Sequence, residues 1–269
     1  MTNALFTYRD KGLYCHHSID DAPDPADYYM HTHEWMELYY FVDGDASFLV
    51  EGSEYILRPH DILIMRSAEA HKLELRSGQR YERIAIHFHP SVLESADPEG
   101  VLLRPFLERP LGRGNRFRSA GFKSIFDNFD NDIIPELRRL MVLTTLQTAL
   151  LEICEAAICA GTTPYDSAGI AAAILKYVND HLFSELSVAA VSREFDLSPS
   201  QLSRVFRQAT GSSVWQYIRA KRLLAARERI ASGATAAAAC AACGFRDYSA
   251  FYRAYLDRFK EPPSGIQRK

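Results

Sequence analysis

Two groups of side chains in this 269-residue chain have types and spacings that could do chemistry. The first is His31-Thr32-His33, then Glu37 four residues further on, then His71. Imidazoles and a carboxylate suit a divalent metal such as Zn, Ni, Fe or Mn. The same groups equally suit hydrogen bonding to a polar small molecule. In an extended segment His31 and His33 point the same way, as two ligands must. Glu37 shares that parity but would lie about 20 Å from His31 on a straight strand. A shared ligand therefore requires a turn near residues 34–36, and both readings stay open.

The second group lies on two helical units. Ser198 is a natural N-cap with Pro199 at the first helical position. The helix should run to about Thr210, with Gly211 as its stop. With Leu202, Val205 and Phe206 facing a core, Ser200, Gln201, Ser203, Arg204 and Arg207 are left outward. Asp247 caps a second helix whose matching outward positions are Tyr248, Ser249, Tyr252 and Arg253. Sliding the second unit back by 49 positions puts Ser249 on Ser200, Phe251 on Leu202, Arg253 on Arg204 and Tyr255 on Phe206. The arginine fork matches O6 and N7 of guanine together. Recognition helices present their N-terminal halves to base edges, so Ser200, Ser203 and Arg204 are expected to read and Arg207 to hold phosphate.

These residues need elements to position them. Between the two units, residues 213–231 read as one helix, with Ser213 and Gln216 as a capping box and Gly233 as a stop. It would be about 28 Å long, which suits two readers in successive major grooves about 34 Å apart. Arg222 falls in the same helical arc as Trp215, Ile218, Ala226 and Ile230. It is expected to be structural, tied to a carboxylate or a helix end, because an unpaired buried charge is costly.

Residues 1–89 read as β structure, with strands at 37–42, 46–51, 54–57, 62–65, 72–75 and 81–89. Asp43-Gly44 and Glu51-Gly52-Ser53 serve as hairpin turns. Leu38, Tyr40 and Val42 share one face, and Glu37, Tyr39 and Phe41 the other; polar and aromatic residues facing inward make a small-molecule cavity. A short helix is expected over 117–128 and a long one over 136–160. The Leu and Ile of the long helix surround it, so more than one face should be buried, against the barrel or in a homodimer.

The length suits two domains: 1–160, a polar linker at 161–167, and 168–269. Residues 168–269 carry 15 Lys and Arg against 8 Asp and Glu, while the rest carry 16 against 26. A basic C-terminal third beside an acidic remainder is expected where one domain alone meets phosphate. No signal peptide, lipidation motif or apolar run of about 18 residues is evident, so the expectation is a cytoplasmic chain with no membrane partner. The five cysteines are irregularly spaced. Cys240-Ala-Ala-Cys243 lies in an alanine-rich helix without two further zinc ligands, which favours small-residue packing.

Arg222-Leu223, Ala226-Arg227, Ile230, Gly244-Phe245 and Pro262-Pro263-Ser264 resemble the AraC/XylS-type transcription regulators over 168–269. The chain departs from that pattern at Ala236, Ala239 and Cys240, where larger aliphatic residues are usual, at Ser192, and at Ile266-Gln267. His31-Thr-His33-x-x-x-Glu37, Gly44 and His71 are similar to the two cupin motifs, with His60 where a Gly is usual and Ala68-Glu69-Ala70 where a Pro-Gly pair commonly precedes the histidine. The resemblance implies an α+β two-domain fold: an N-terminal cupin-like β-barrel with trailing helices, then an all-α double helix-turn-helix joined by a long helix. It implies a ligand-responsive regulator with no catalytic residues, whose partners are double-stranded DNA, a small polar effector such as a sugar, and a second copy of the chain. RNA polymerase is a further candidate partner. No cofactor is required, though a divalent metal fits the His31, His33, Glu37, His71 set. The rival reading is a metal-dependent cupin enzyme with an accessory DNA-binding domain.

Overall fold

Alternating inward and outward residues, broken by turns, build the first half of the chain in the computed structural model, which describes residues 2–159, 170–210 and 212–263. The chain divides into two units, Met1–Ser167 and Ala168–Lys269. The linker at 161–167, the Gly211 stop, Ser264 and Ile266-Gln267 lie outside the described residues.

The first unit contains β1 (Thr2–Arg9), β2 (Leu13–Asp20), β3 (Met36–Asp43), β4 (Ala46–Val50), β5 (Ser53–Ile56), β6 (Ile62–Met65), β7 (His71–Leu75) and β8 (Tyr81–Phe88). There follow α1 (Arg104–Leu107), β9 (Arg116–Phe117), α2 (Ala120–Asp127) and α3 (Arg138–Cys159). A six-stranded sheet has the order β1-β2-β8-β3-β6-β9, and a three-stranded sheet the order β5-β4-β7. The strands expected from 37 onward recur within a residue of their bounds. β1 and β2 are not delimited in the sequence, and β9 takes the first residue of the short helix expected over 117–128, which begins instead at Ala120.

Parity on β3 decides what faces what. Leu38 and Tyr40 join Ile62, Ile64, Ile84 and Ile86 against Phe122, Phe126 and the buried face of α3. Tyr39 and Phe41 point the other way and pack with Phe48, Val50, Tyr55 and Leu73 of the smaller sheet. The two sheets thus enclose an interior whose middle is apolar. The turn from β4 to β5 is the two-residue Glu51-Gly52, with φ of 48° and 81°, the signature of a primed turn that matches strand twist.

Helix α3 buries Val142, Leu146, Ala149, Leu150 and Ile153 on the sheet side. Its other face is not covered among the described residues, where Leu140 is 61% and Ile158 81% exposed; of the two covers expected for the long helix, the barrel takes one face and a second copy is left for the other. The expectation about apolar runs also needs correction. Pro135–Ile158 is long and apolar enough to cross a membrane by length and composition. Thr144, Thr145, Gln147 and Thr148 interrupt the run without lowering its mean hydropathy below that of a span, and one face of the helix is core.

The second unit contains α4 (Ile170–Asp180), α5 (Val188–Glu194), α6 (Pro199–Thr210), α7 (Val214–Ala231), α8 (Ala236–Ala242) and α9 (Tyr248–Phe259). Helices α5 and α8 both have 7 residues, and α6 and α9 both have 12. Leu202 and Phe206 are buried in the first pair, and Phe251 and Tyr255 in the second. The capping box of Ser213 and Gln216 opens α7 as expected. Cys240 and Cys243 are buried free thiols packed with Leu223, Ala226 and Phe251.

Arg222 is 5% exposed and is held by backbone rather than by a carboxylate. Its guanidinium donates to the carbonyls of Leu182 and Ser184, just past α4, and of Gly244 in the α8–α9 turn. Trp215, expected on the same packing arc, is instead 54% exposed, with the Arg222 guanidinium 5.9 Å from its ring centre. It sits on the first turn of α7, where no element among the described residues covers it.

Candidate functional site

A bend at Glu34 and Trp35 brings the first group of residues together, as their spacing required. His31 forms an isolated antiparallel bridge with His71. Beyond the bend, Glu37 is the second residue of β3 and faces the interior, where it is 4% exposed. His33 Nε2 lies 2.9 Å and His71 Nε2 3.1 Å from the same Glu37 oxygen, Oε2. The His71 approach is off the line a hydrogen bond needs, so that nitrogen, on a side chain only 1% exposed, has no aligned partner. All four expected residues converge, with His31 on the solvent side, its ring centre 4.4 Å from that of His71.

Three of the rings are pinned from behind. His31 Nδ1 donates to the Tyr29 carbonyl at 2.9 Å, His33 Nδ1 to Trp35 at 2.8 Å and His71 Nδ1 to Glu69 at 2.7 Å. A carbonyl only accepts, so each Nδ1 carries the proton and each neutral ring turns a bare Nε2 lone pair into the site. This is the arrangement that orients histidines acting as ligands.

The sequence reading missed His87. It sits directly across from Glu37 on β8, with Nδ1 3.9 Å from Glu37 Oε2 and its ring centre 5.0 Å from that of His33. Its signal lay in the alternation of β8: Ile84, Ile86 and Phe88 face the helices, so Tyr81, Arg83, Ala85 and His87 face the interior. His16 and Tyr14 on β2 stack on His87 and extend the polar end of the barrel. Burial pulls the His87 imidazole down to about 4, only partly countered by Glu37. Burial would raise the Glu37 carboxyl, but the surrounding histidines, His87 foremost, hold it well below its ordinary value. Burial likewise opposes charge on His71, and contact with Glu37 outweighs it and moves His71 up.

Glu69, fully buried, anchors this end. Its carboxylate takes Arg109 in a 2.5 Å ion pair and accepts from Gly112 N–H and the Asn115 amide. The residue whose carbonyl orients His71 is therefore fixed to the 109–115 loop. Both departures from the cupin pattern occur at strained backbone: His60 has φ of 73° and Ala68 of 61°, the left-handed region that glycine favours.

In the second unit Ser200, Gln201, Ser203, Arg204 and Arg207 line the exposed face of α6, and Tyr248, Ser249, Tyr252 and Arg253 that of α9. Pro199, Ser200, Ser203, Arg204, Arg207 and Gln208 border one shallow surface groove. Gln201 is partly committed: its Oε1 accepts the Ser198 N–H at 2.9 Å, closing a capping box in which Ser198 Oγ accepts from Gln201 N–H. Asp247 caps α9 through Ser249 and Ala250. Ser192, the departure in α5, is buried with no partner for its hydroxyl.

Family comparison matches each unit separately. Residues 19–114 match the AraC-like ligand binding domain, and residues 191–269 match a helix-turn-helix domain. The chain belongs to the AraC-type transcription regulators. This AraC-type regulator is 23% identical over 225 residues to an uncharacterized HTH-type transcriptional regulator, YfiF of Bacillus subtilis, an alignment spanning 76% of this chain and 67% of that protein. Among solved structures it is similar to an apo ToxT variant from Vibrio cholerae, at 12% identity and TM-score 0.41 over 95% of this chain and 96% of that one. It is also similar to the AraC-like transcriptional activator CuxR, at 14% identity and TM-score 0.40 over 81% of this chain and 78% of that one.

Proposed function

We propose that this regulator reads duplex DNA through α6 and α9, and that a small polar effector at the histidine-lined end of the barrel alters that binding. The observation carrying the DNA reading is the matched pair of 12-residue helices, each capped by a side chain, each burying the same apolar positions and exposing the same polar ones. In this reading Ser200, Ser203, Arg204, Tyr248, Ser249, Tyr252 and Arg253 meet base edges and Arg207 holds phosphate. Gln201 contributes its free amide N–H groups while its oxygen caps the helix. Selection of binding sites from random duplexes by the full chain tests this; recovery of no consensus would overturn it.

Three buried polar atoms support an effector site: His71 Nε2 and the hydroxyls of Tyr39 and Tyr81, all inward and without an aligned protein partner. A sugar is one class of effector with hydroxyls to meet them. Replacing His33 or Glu37 with Ala should abolish the response, since a site built on hydrogen bonds loses heavily when one partner goes unpaired. The exposed Leu140, Leu151 and Ile158 support self-association through α3. A monomer at micromolar concentration in sedimentation would overturn the dimer. Acting on DNA, the chain would work in the cytoplasm, with RNA polymerase as its partner if it activates. Turnover that survives deletion of residues 168–269 would favour an enzyme instead.

A further inference from the structure

Arg83 lies on the interior side of β8, across from Ser18 on β2 and Phe41 on β3. Its guanidinium rests against the rings of Tyr81 and Tyr28, whose centres are 5.0 and 5.7 Å away. Arg83 Nη1 is buried without an aligned hydrogen-bond partner, and no carboxylate pairs with Arg83 among the described residues. Asp20, across from Tyr81 on β2, accepts from the Tyr28 hydroxyl at 3.3 Å instead. An arginine keeps its proton, and a buried charge without a counter-charge is costly.

Two further donors share this interior. Tyr81 stands two residues before Arg83, and Tyr39 is across from Ala85, diagonal to Arg83. They are 1% and 3% exposed, pack in one cluster with Phe41 and Phe48, and carry hydroxyls that lack an aligned partner. A sugar hydroxyl would accept from these donors and leave the charge of Arg83 unmatched. A carboxylate accepts from all of them and cancels the charge, through charge-assisted bonds about twice as strong as neutral ones. A phosphate dianion would bring surplus negative charge into an interior that already buries Glu37 and Asp20.

We infer that the barrel interior binds a monocarboxylate, its oxygens held by Arg83, Tyr81 and Tyr39. This rests on the reading of the barrel as the effector site and names the chemical class of the effector.

The test is calorimetric titration of the full chain with acetate, butyrate, octanoate and phenylacetate, each beside its primary amide, with propylphosphonate as the dianion. At least one acid should bind and raise the melting temperature, while its amide and the phosphonate do not. Arg83→Gln should weaken that binding at least about tenfold and Tyr81→Phe about threefold. Arg83→Lys, which keeps the charge, should recover part. Arg80→Gln, at an exposed arginine of the same hairpin end, should bind as the wild type does. Circular dichroism checks the folding of each variant. No binding by any of the acids, equal binding of acid and amide, tighter binding of the phosphonate, or binding indifferent to Arg83→Gln and Tyr81→Phe alike would overturn the inference. A carboxylate held through Arg83 that leaves the affinity for a selected DNA duplex unchanged would uphold the site and sink the effector reading. A neutral sugar that changes DNA affinity equally in wild type and Arg83→Gln would uphold the effector reading and sink the carboxylate.

Discussion

Arg222 Nη1 donates to the carbonyl of Gly244 at 2.6 Å, and Gly244 is the residue whose φ of 77° opens the turn between α8 and α9. A Cβ at Gly244 would stand 2.8 Å from the Phe183 carbonyl oxygen and 3.0 Å from Arg222 Cζ. The pair explains why Arg222 and Gly244 belong to one pattern in the sequence: the arginine ties the segment after α4 to the second reading unit, and only a glycine leaves room for it.

Arg222→Ala should therefore destabilise the C-terminal unit by about 3 kcal/mol or more, because three carbonyls lose a charged donor. Arg222→Lys should recover only part, having no planar fork. Gly244→Ala should cost about 2 kcal/mol through backbone strain. Urea unfolding of the full chain in a Trp35→Phe background, followed by Trp215 fluorescence, measures all three. Wild-type stability in Arg222→Ala would show the carbonyls to be satisfied some other way.

Arg204→Ala and Arg253→Ala should each cost about 1–3 kcal/mol on a selected site and relax preference at one base position. Arg207→Ala should weaken binding on every sequence and reduce the salt slope by about 1. A base-by-base binding matrix that is unchanged in both of the first two variants would remove α6 and α9 as the readers.

These residues show how far the sequence was legible. His31, His33, Glu37 and His71 could be named because their spacing is local except for one long step. His87 could not, because its membership depends on β8 lying beside β3 in register, a fact of pairing across 50 residues. Trp215 misled for a related reason: helical periodicity gives the arc a residue occupies but not whether a neighbour reaches it. The outer face of α3 is the same case: the sequence places Leu140, Leu151 and Ile158 around the helix but does not say that nothing among the described residues packs on them.

Ala68→Gly should raise the stability of the first unit by up to about 1 kcal/mol, since an Ala at φ of 61° pays a steric cost that Gly avoids. Thermal melting of the full chain checks it. An unchanged or lower melting temperature would mean that the unfolded-state entropy of glycine cancels the relief.

Hydrogen exchange should show weaker protection in α8 and α9 than in α5 and α6. The second pair packs around Ala239, Cys240 and Cys243, and smaller side chains bury less area, at about 25 cal/mol per Å². Equal protection in the free protein would show that Phe251 and Tyr255 make up the difference.

Each of the three carbonyls that orient His31, His33 and His71 lies two residues from its ring in the chain. The tautomer of every ring is thus set within a few residues, by local backbone shape, while their meeting depends on strands that pair far along the sequence. Prepared donors brought together by folding behave as a chelate: closing the barrel raises the concentration each ring experiences of the others. Binding of any ligand at this end would consequently measure how completely the two sheets have closed on one another, and a loosened sheet would cost that binding well before it cost the fold.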